Sequence, residues 1–118
     1  LSIAKAYDML EADAGDTSEG RTPADNATNR TVFLIGPDKA IKATWTYPMS
    51  NGRNFDEILR VLEACQLTAK HQVATPANWT NGGDVVILPS VSDEDAKAKY
   101  PDGWESPTPY IRMVPQPD

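Results

Sequence analysis

Read by its spacing of apolar and polar positions, the chain alternates between a helical and a strand period. Leu1, Ile3, Ala4, Ala6, Tyr7 and Leu10 recur close to a helical period, which predicts a helix over Leu1–Ala14 that stops at Gly15. The next segment, Gly15–Asn29, is rich in Gly, Asp, Ser, Thr and Asn, and reads as a surface loop. Thr31–Ile35 is a β-branched and aromatic run with strand character. Gly36-Pro37-Asp38-Lys39 follows with turn chemistry. Then Ile41, Ala43, Trp45 and Tyr47 alternate with Lys42, Thr44 and Thr46, the period of a half-buried strand. Strand, tight turn and strand predict an antiparallel hairpin.

Beyond Pro48, Asn54 is a good helix N-cap, and Glu57 three residues later makes a partial capping box. Phe55, Ile58, Leu59, Leu62 and Cys65 repeat at helical spacing to about Leu67. After Lys70 the texture changes. Ala74–Trp79 looks extended, Gly82-Gly83 is a turn, and Val85–Leu88 is a short strand ended by Pro89. Ser92–Lys99 is a short helix capped by Ser92, and the Pro-rich remainder leaves room for one strand, Tyr110–Val114. The chain thus divides near Lys70 into residues 1–70 (helix, hairpin, helix) and an arm, 71–118. So few apolar residues in the arm cannot offset its ordering entropy alone, so it must fold back on the first part or reach a second subunit.

Composition narrows the field. Across 118 residues, 40% are apolar, which suits a globular domain or part of one. No apolar run approaches the length of a membrane span, and Leu1–Leu10 lacks the continuous apolar core of a signal peptide. A net charge of −6 without any Lys/Arg cluster disfavours nucleic acid as a partner. The chain opens on a leucine inside a helical pattern, which reads as a fragment of something longer. Asn26-Ala27-Thr28, Asn29-Arg30-Thr31 and Asn78-Trp79-Thr80 match the glycosylation triplet and are read as incidental.

Candidate chemistry is sparse. The single histidine, His71, lies at a helix end without metal-ligand company and reads as an exposed or helix-capping residue. The single cysteine, Cys65, sits on the apolar stripe toward the carboxyl end of its helix, where the dipole disfavours a thiolate. It reads as a buried structural thiol. Two arginines differ from the rest. Arg30 starts the first strand and Arg53 precedes the second long helix. Antiparallel pairing brings Pro48 beside the start of the first strand, and the loop holding Arg53 then falls near Arg30. Two cations at one sheet edge can hold an anion, including a thiolate from another segment; both can equally be solvated surface residues.

Arg30–Lys39, Tyr47-Pro48 and Gly52–Arg60 together resemble the later part of the one-cysteine, or peroxiredoxin-6-like, peroxiredoxins. Gln66-Leu67-Thr68, Val73–Trp79, Val86–Pro89, Asp95-Ala96-Lys97 and Pro109–Arg112 continue the resemblance in order. It implies an α/β architecture: the C-terminal part of a thioredoxin-like fold (helix, β-hairpin, helix) plus a C-terminal extension that contributes to a homodimer. It also implies a thiol-dependent peroxidase acting on hydrogen peroxide and organic hydroperoxides, with no cofactor and an external thiol as reductant. The family's Pro-x-x-x-Thr-x-x-Cys motif has no counterpart here, so the peroxidatic cysteine is expected upstream of Leu1 and the chain alone is expected to be inactive. Arg30 matches the arginine that sits against the thiolate, and Arg53 a second arginine of the same network. With no cysteine after Cys65, an arm-borne resolving thiol is not expected. Asp38 matches the triad aspartate of a phospholipase activity found in some members. The resemblance points to the cytoplasm, with mitochondria as the alternative. The competing reading is a non-catalytic dimerisation or binding module derived from a peroxiredoxin.

Overall fold

The computed structural model describes residues 1–17, 19–25, 27 and 29–118. The element order is α1 (Ser2–Ala6), β1 (Arg30–Ile35), β2 (Ile41–Tyr47), α2 (Phe55–Lys70), β3 (Val73–Ala74), β4 (Val85–Ile87), α3 (Asp93–Lys99), β5 (Glu105–Thr108) and β6 (Ile111–Val114). It groups into two compact units, Leu1–Asn54 and Phe55–Asp118. Asn26 and Thr28 of the first glycosylation triplet lie outside the described residues.

In the first unit the expected long N-terminal helix is only one turn and a fraction. Asp8 takes a left-handed conformation (φ 53°), and its N–H bonds the Lys5 carbonyl at 3.0 Å while that of Met9 bonds the Ala4 carbonyl at 2.8 Å. This bonding pattern closes a helix. An aspartate tolerates it, so Met9 and Leu10 keep their periodic spacing without extending the helix. The hairpin forms as expected. Arg30 pairs with Tyr47, Val32 with Trp45 and Leu34 with Ala43, with an irregularity between Leu34 and Ile35. Directly opposed residues share a sheet face, so Arg30, Tyr47, Val32 and Trp45 stand on one side. On the other side the Thr31 and Thr46 hydroxyls meet at 3.2 Å, and Tyr7 packs on Phe33 with ring centroids 4.8 Å apart.

The second unit holds the core. Ala64, Val73, Trp79, Val85, Ile87, Val91, Ala96 and Val114 are buried, with Leu67, Leu88, Tyr100 and Trp104 packed against them. The four-stranded sheet runs β3-β4-β6-β5, all antiparallel. Seven of the eight core residues come from the arm and the eighth, Ala64, from α2. The arm therefore packs against the helix that precedes it. Burying each large core side chain stabilises by roughly 1.5–3 kcal/mol, and Ala64 and Leu67 of α2 complete a cluster drawn mostly from the arm.

Polar contacts fix the same arrangement. Arg60 on α2 forks onto the Glu57 carboxylate at 2.6 and 2.9 Å and donates to the Trp79 carbonyl at 3.0 Å. Ser92 caps α3, its hydroxyl accepting from the Asp95 N–H at 3.1 Å. Gly82 adopts φ 91°, which permits the tight turn, and the indole of buried Trp79 donates across it to the Gly83 carbonyl at 3.1 Å. β3 and β5 were not foreseen in the sequence: β3 is two residues long, and β5 is an edge strand carrying Pro107.

Candidate active site

Arg30 is the first residue of β1 and is half-buried. Its Nη1 donates to the Asn51 carbonyl at 3.3 Å. Asn51 belongs to a turn in which its N–H bonds the Pro48 carbonyl at 2.9 Å. The chain then passes through Gly52 and Arg53 to Asn54, whose N–H donates to the Tyr47 hydroxyl at 3.4 Å. Arg53 thus sits between two ties. One runs to Arg30 and the other to Tyr47, and these two residues oppose each other in the hairpin. Asn51 and Arg53 are two residues apart, so their Cα atoms lie within roughly 7 Å. Both arginines share one end of the hairpin.

Arg53 is half-buried and makes no hydrogen bond or ion pair among the described residues. Arg30 commits one of its five N–H donors. The pair therefore retains a fork of donors and two positive charges able to take an anion, to favour a thiolate, or to stabilise negative charge developing on an oxygen. Tyr47, absent from the sequence-based site, is the residue that closes the loop; counting the register back from the turn would have placed it opposite Arg30.

Asp38 lies at the far end of the hairpin, in the Gly36–Lys39 turn. Its carboxylate accepts from Lys42 Nζ at 2.6 Å and from the Ala40 N–H at 3.2 Å. The hydrogen bond from Lys42, then that from Ala40, hold its carboxyl below the ordinary range. A Cβ at Gly36 would lie 2.6 Å from Asp38 Oδ1, so glycine leaves the room this arrangement uses. Asp38 has a complete structural role in the turn.

Cys65 is a free thiol, half-buried rather than fully enclosed, in the last turns of α2. The stripe it was assigned to is partly open: Phe55 is 66% and Leu59 56% exposed, while Ala64 turns to the core. His71 also departs from expectation. It is half-buried, and its Nε2 is enclosed without a hydrogen-bond partner among the described residues. Among the described residues no group of three or more His, Cys, Asp or Glu could hold a metal ion, and no helix is long and apolar enough to cross a membrane.

Comparison with known proteins gives one answer. Residues 64–103 match the model of the C-terminal domain of 1-Cys peroxiredoxin. The chain is similar to a 1-Cys peroxiredoxin of Dictyostelium discoideum, 45% identical over 98% of this chain and 44% of that protein. Among solved structures, a yeast mitochondrial 1-Cys peroxiredoxin aligns at 41% identity with TM-score 0.76, over 96% of this chain and 51% of that one. A peroxiredoxin 6 of Arenicola marina aligns at 42% identity with TM-score 0.77, over 98% and 52%. The chain spans about half the length of the relatives it matches. Similar over nearly its whole length in both sequence and fold, the chain belongs to the one-cysteine peroxiredoxins and carries the C-terminal portion of their thioredoxin-like α/β fold.

Proposed function

We propose that the intact protein is a thiol-dependent peroxidase reducing hydrogen peroxide and organic hydroperoxides, and that this chain supplies Arg30 and Arg53 to its active site. The observation that carries the reading is the pair of arginines tied to one end of the hairpin with donors uncommitted, in a chain of this family. The peroxidatic cysteine lies in the part of the protein outside these residues. Its thiolate attacks the O–O bond: an S–O bond forms, the O–O bond breaks, and the leaving oxygen takes a proton to become water or an alcohol. The resulting sulfenic acid condenses with an external thiol, releasing water, and a second thiol reduces the mixed disulfide. Arg30 favours the thiolate and, with Arg53, offsets charge on the leaving oxygen.

The external reductant fits the yeast relative, whose thiol resolution runs through glutathione/thioredoxin systems. Residues 1–70 then complete the thioredoxin-like domain, and 71–118 form an extension that contributes to a homodimer. The protein works in the cytoplasm or, like the yeast relative, in mitochondria.

A second reading, a non-catalytic dimerisation or binding module derived from a peroxiredoxin, draws on the family's peroxidatic-cysteine pattern having no counterpart in these residues. The test is peroxide consumption by the intact protein with a thiol reductant, alongside its intact mass. Turnover by a protein about twice as large as these 118 residues supports the peroxidase. No turnover, with a mass matching 118 residues, supports the module. The 118-residue chain by itself is expected to be inactive.

A further inference from the structure

Arg53 has no side-chain anchor of its own among the described residues, so its position depends on the backbone of the Pro48–Asn54 loop. That loop contains Gly52, where a Cβ would meet nothing within 4 Å, so packing does not confine it there. Two contacts close it onto the hairpin. Arg30 holds the Asn51 carbonyl at 3.3 Å, and the Tyr47 hydroxyl accepts the Asn54 N–H at 3.4 Å. Tyr47 is half-buried at the end of β2 directly opposite Arg30. Tyr47 reaches the loop through its phenol oxygen, one residue past Arg53.

We propose that Tyr47 is a positioning residue for the peroxidase reaction, its hydroxyl holding the Asn54 N–H so that Arg53 is presented beside Arg30. This rests on the peroxidase reading above. Without the hydroxyl the second tie is lost, the Gly52–Asn54 backbone samples other conformations, and Arg53 spends less time next to the reacting groups. Arg30 keeps its own tie through Asn51, so the loss is partial.

The test uses the intact protein. The second-order rate constant for peroxide is measured for Tyr47→Phe, Arg53→Ala and the double variant, with Tyr110→Phe as a control on an exposed phenol. The pH dependence of alkylation of the peroxidatic thiol is followed in each. Loss of one neutral hydrogen bond corresponds to roughly a three- to tenfold effect. Tyr47→Phe is expected to lower the rate by about that factor and move the alkylation profile to higher pH. In the Arg53→Ala background it should do neither, because the group it positions is gone. A Tyr47→Phe rate equal to wild type, or a loss repeated in full in the double variant, overturns the proposal and leaves the peroxidase reading intact. Unchanged kinetics in Arg53→Ala overturns the proposal together with the role given to Arg53.

Discussion

Arg112 on β6 is the most heavily committed side chain in the second unit, and its removal has a calculable consequence. Its side chain is 13% exposed. Nη2 donates to the Leu88 carbonyl at 2.8 Å and the Val91 carbonyl at 2.7 Å. Nη1 meets Asp93 Oδ1 at 2.8 Å, and the guanidinium lies 5.7 Å from the centroid of Trp104. One residue thus fastens the end of β4, the turn after it and the first residue of α3. Arg112→Met keeps most of the apolar stem and removes every donor. Hydrogen bonds from a charged donor are worth about 1.5–3 kcal/mol each; the Val91 carbonyl would lose its Arg112 donor outright, while that of Leu88 keeps the Val91 N–H at 3.0 Å. The Asp93 contact adds little, because that carboxylate side is 73% exposed. Since the contacts share one side chain and do not add fully, the expected loss is about 3–5 kcal/mol. A unit of this size is held by only some 3–10 kcal/mol, so the variant should sit near the edge of folding. Urea denaturation followed by tryptophan fluorescence measures it, since Trp79 and Trp104 both lie in this unit. A clear fall in midpoint at unchanged slope is expected. Asp93→Asn should cost no more than about 1 kcal/mol. An Arg112→Met loss below about 1 kcal/mol would mean that the carbonyl contacts carry no weight.

Other outcomes follow from the same contacts. Gln116 accepts from the Gly82 N–H at 2.7 Å and donates to Asn81 at 2.8 Å, so Gln116→Ala should cost about 1–2 kcal/mol in the same denaturation experiment. Burial raises the Tyr100 phenol above its ordinary value of 10.0. Folding therefore favours the neutral phenol, and stability falls as pH rises past 10.0 toward the folded value; ultraviolet titration should show a late tyrosine that disappears in Tyr100→Phe. Cys65→Ser in the intact protein should leave the peroxide rate within about twofold of wild type, since this thiol is half-buried in α2 and does not stand in the family's Pro-x-x-x-Thr-x-x-Cys pattern.

The hairpin was legible because its strand alternation and its Gly-Pro-Asp-Lys turn agree, and α3 because Ser92 stands three residues before Asp95. These signals are local. What escaped sequence reading depends on distant partners or on single backbone angles. The periodicity of Leu1–Leu10 continues past Asp8, whose left-handed φ ends α1 early. On α2 the apolar stripe pointed to Phe55 and Leu59, yet the face against the arm centres on Ala64, small enough to let β3 approach. β3 owes its existence to pairing with β4, not to its two residues. At the candidate site, antiparallel pairing alone placed Arg30 near the loop of Arg53, because register is fixed by the turn. The Tyr47 tie could not be read from spacing, since it runs from a side chain to a backbone N–H across an irregular loop.

In the proposed reaction Arg30 acts directly on the peroxide chemistry of the intact protein. Stopped-flow measurement of the second-order rate constant for hydrogen peroxide, in wild type and Arg30→Ala, decides whether it does. Removing one preorganised donor to developing charge costs on the order of 10²–10³ in rate, and a loss of that size is expected while the variant remains folded. A folded Arg30→Ala protein that reduces peroxide within about twofold of the wild-type rate would mean that Arg30 takes no direct part in the reaction.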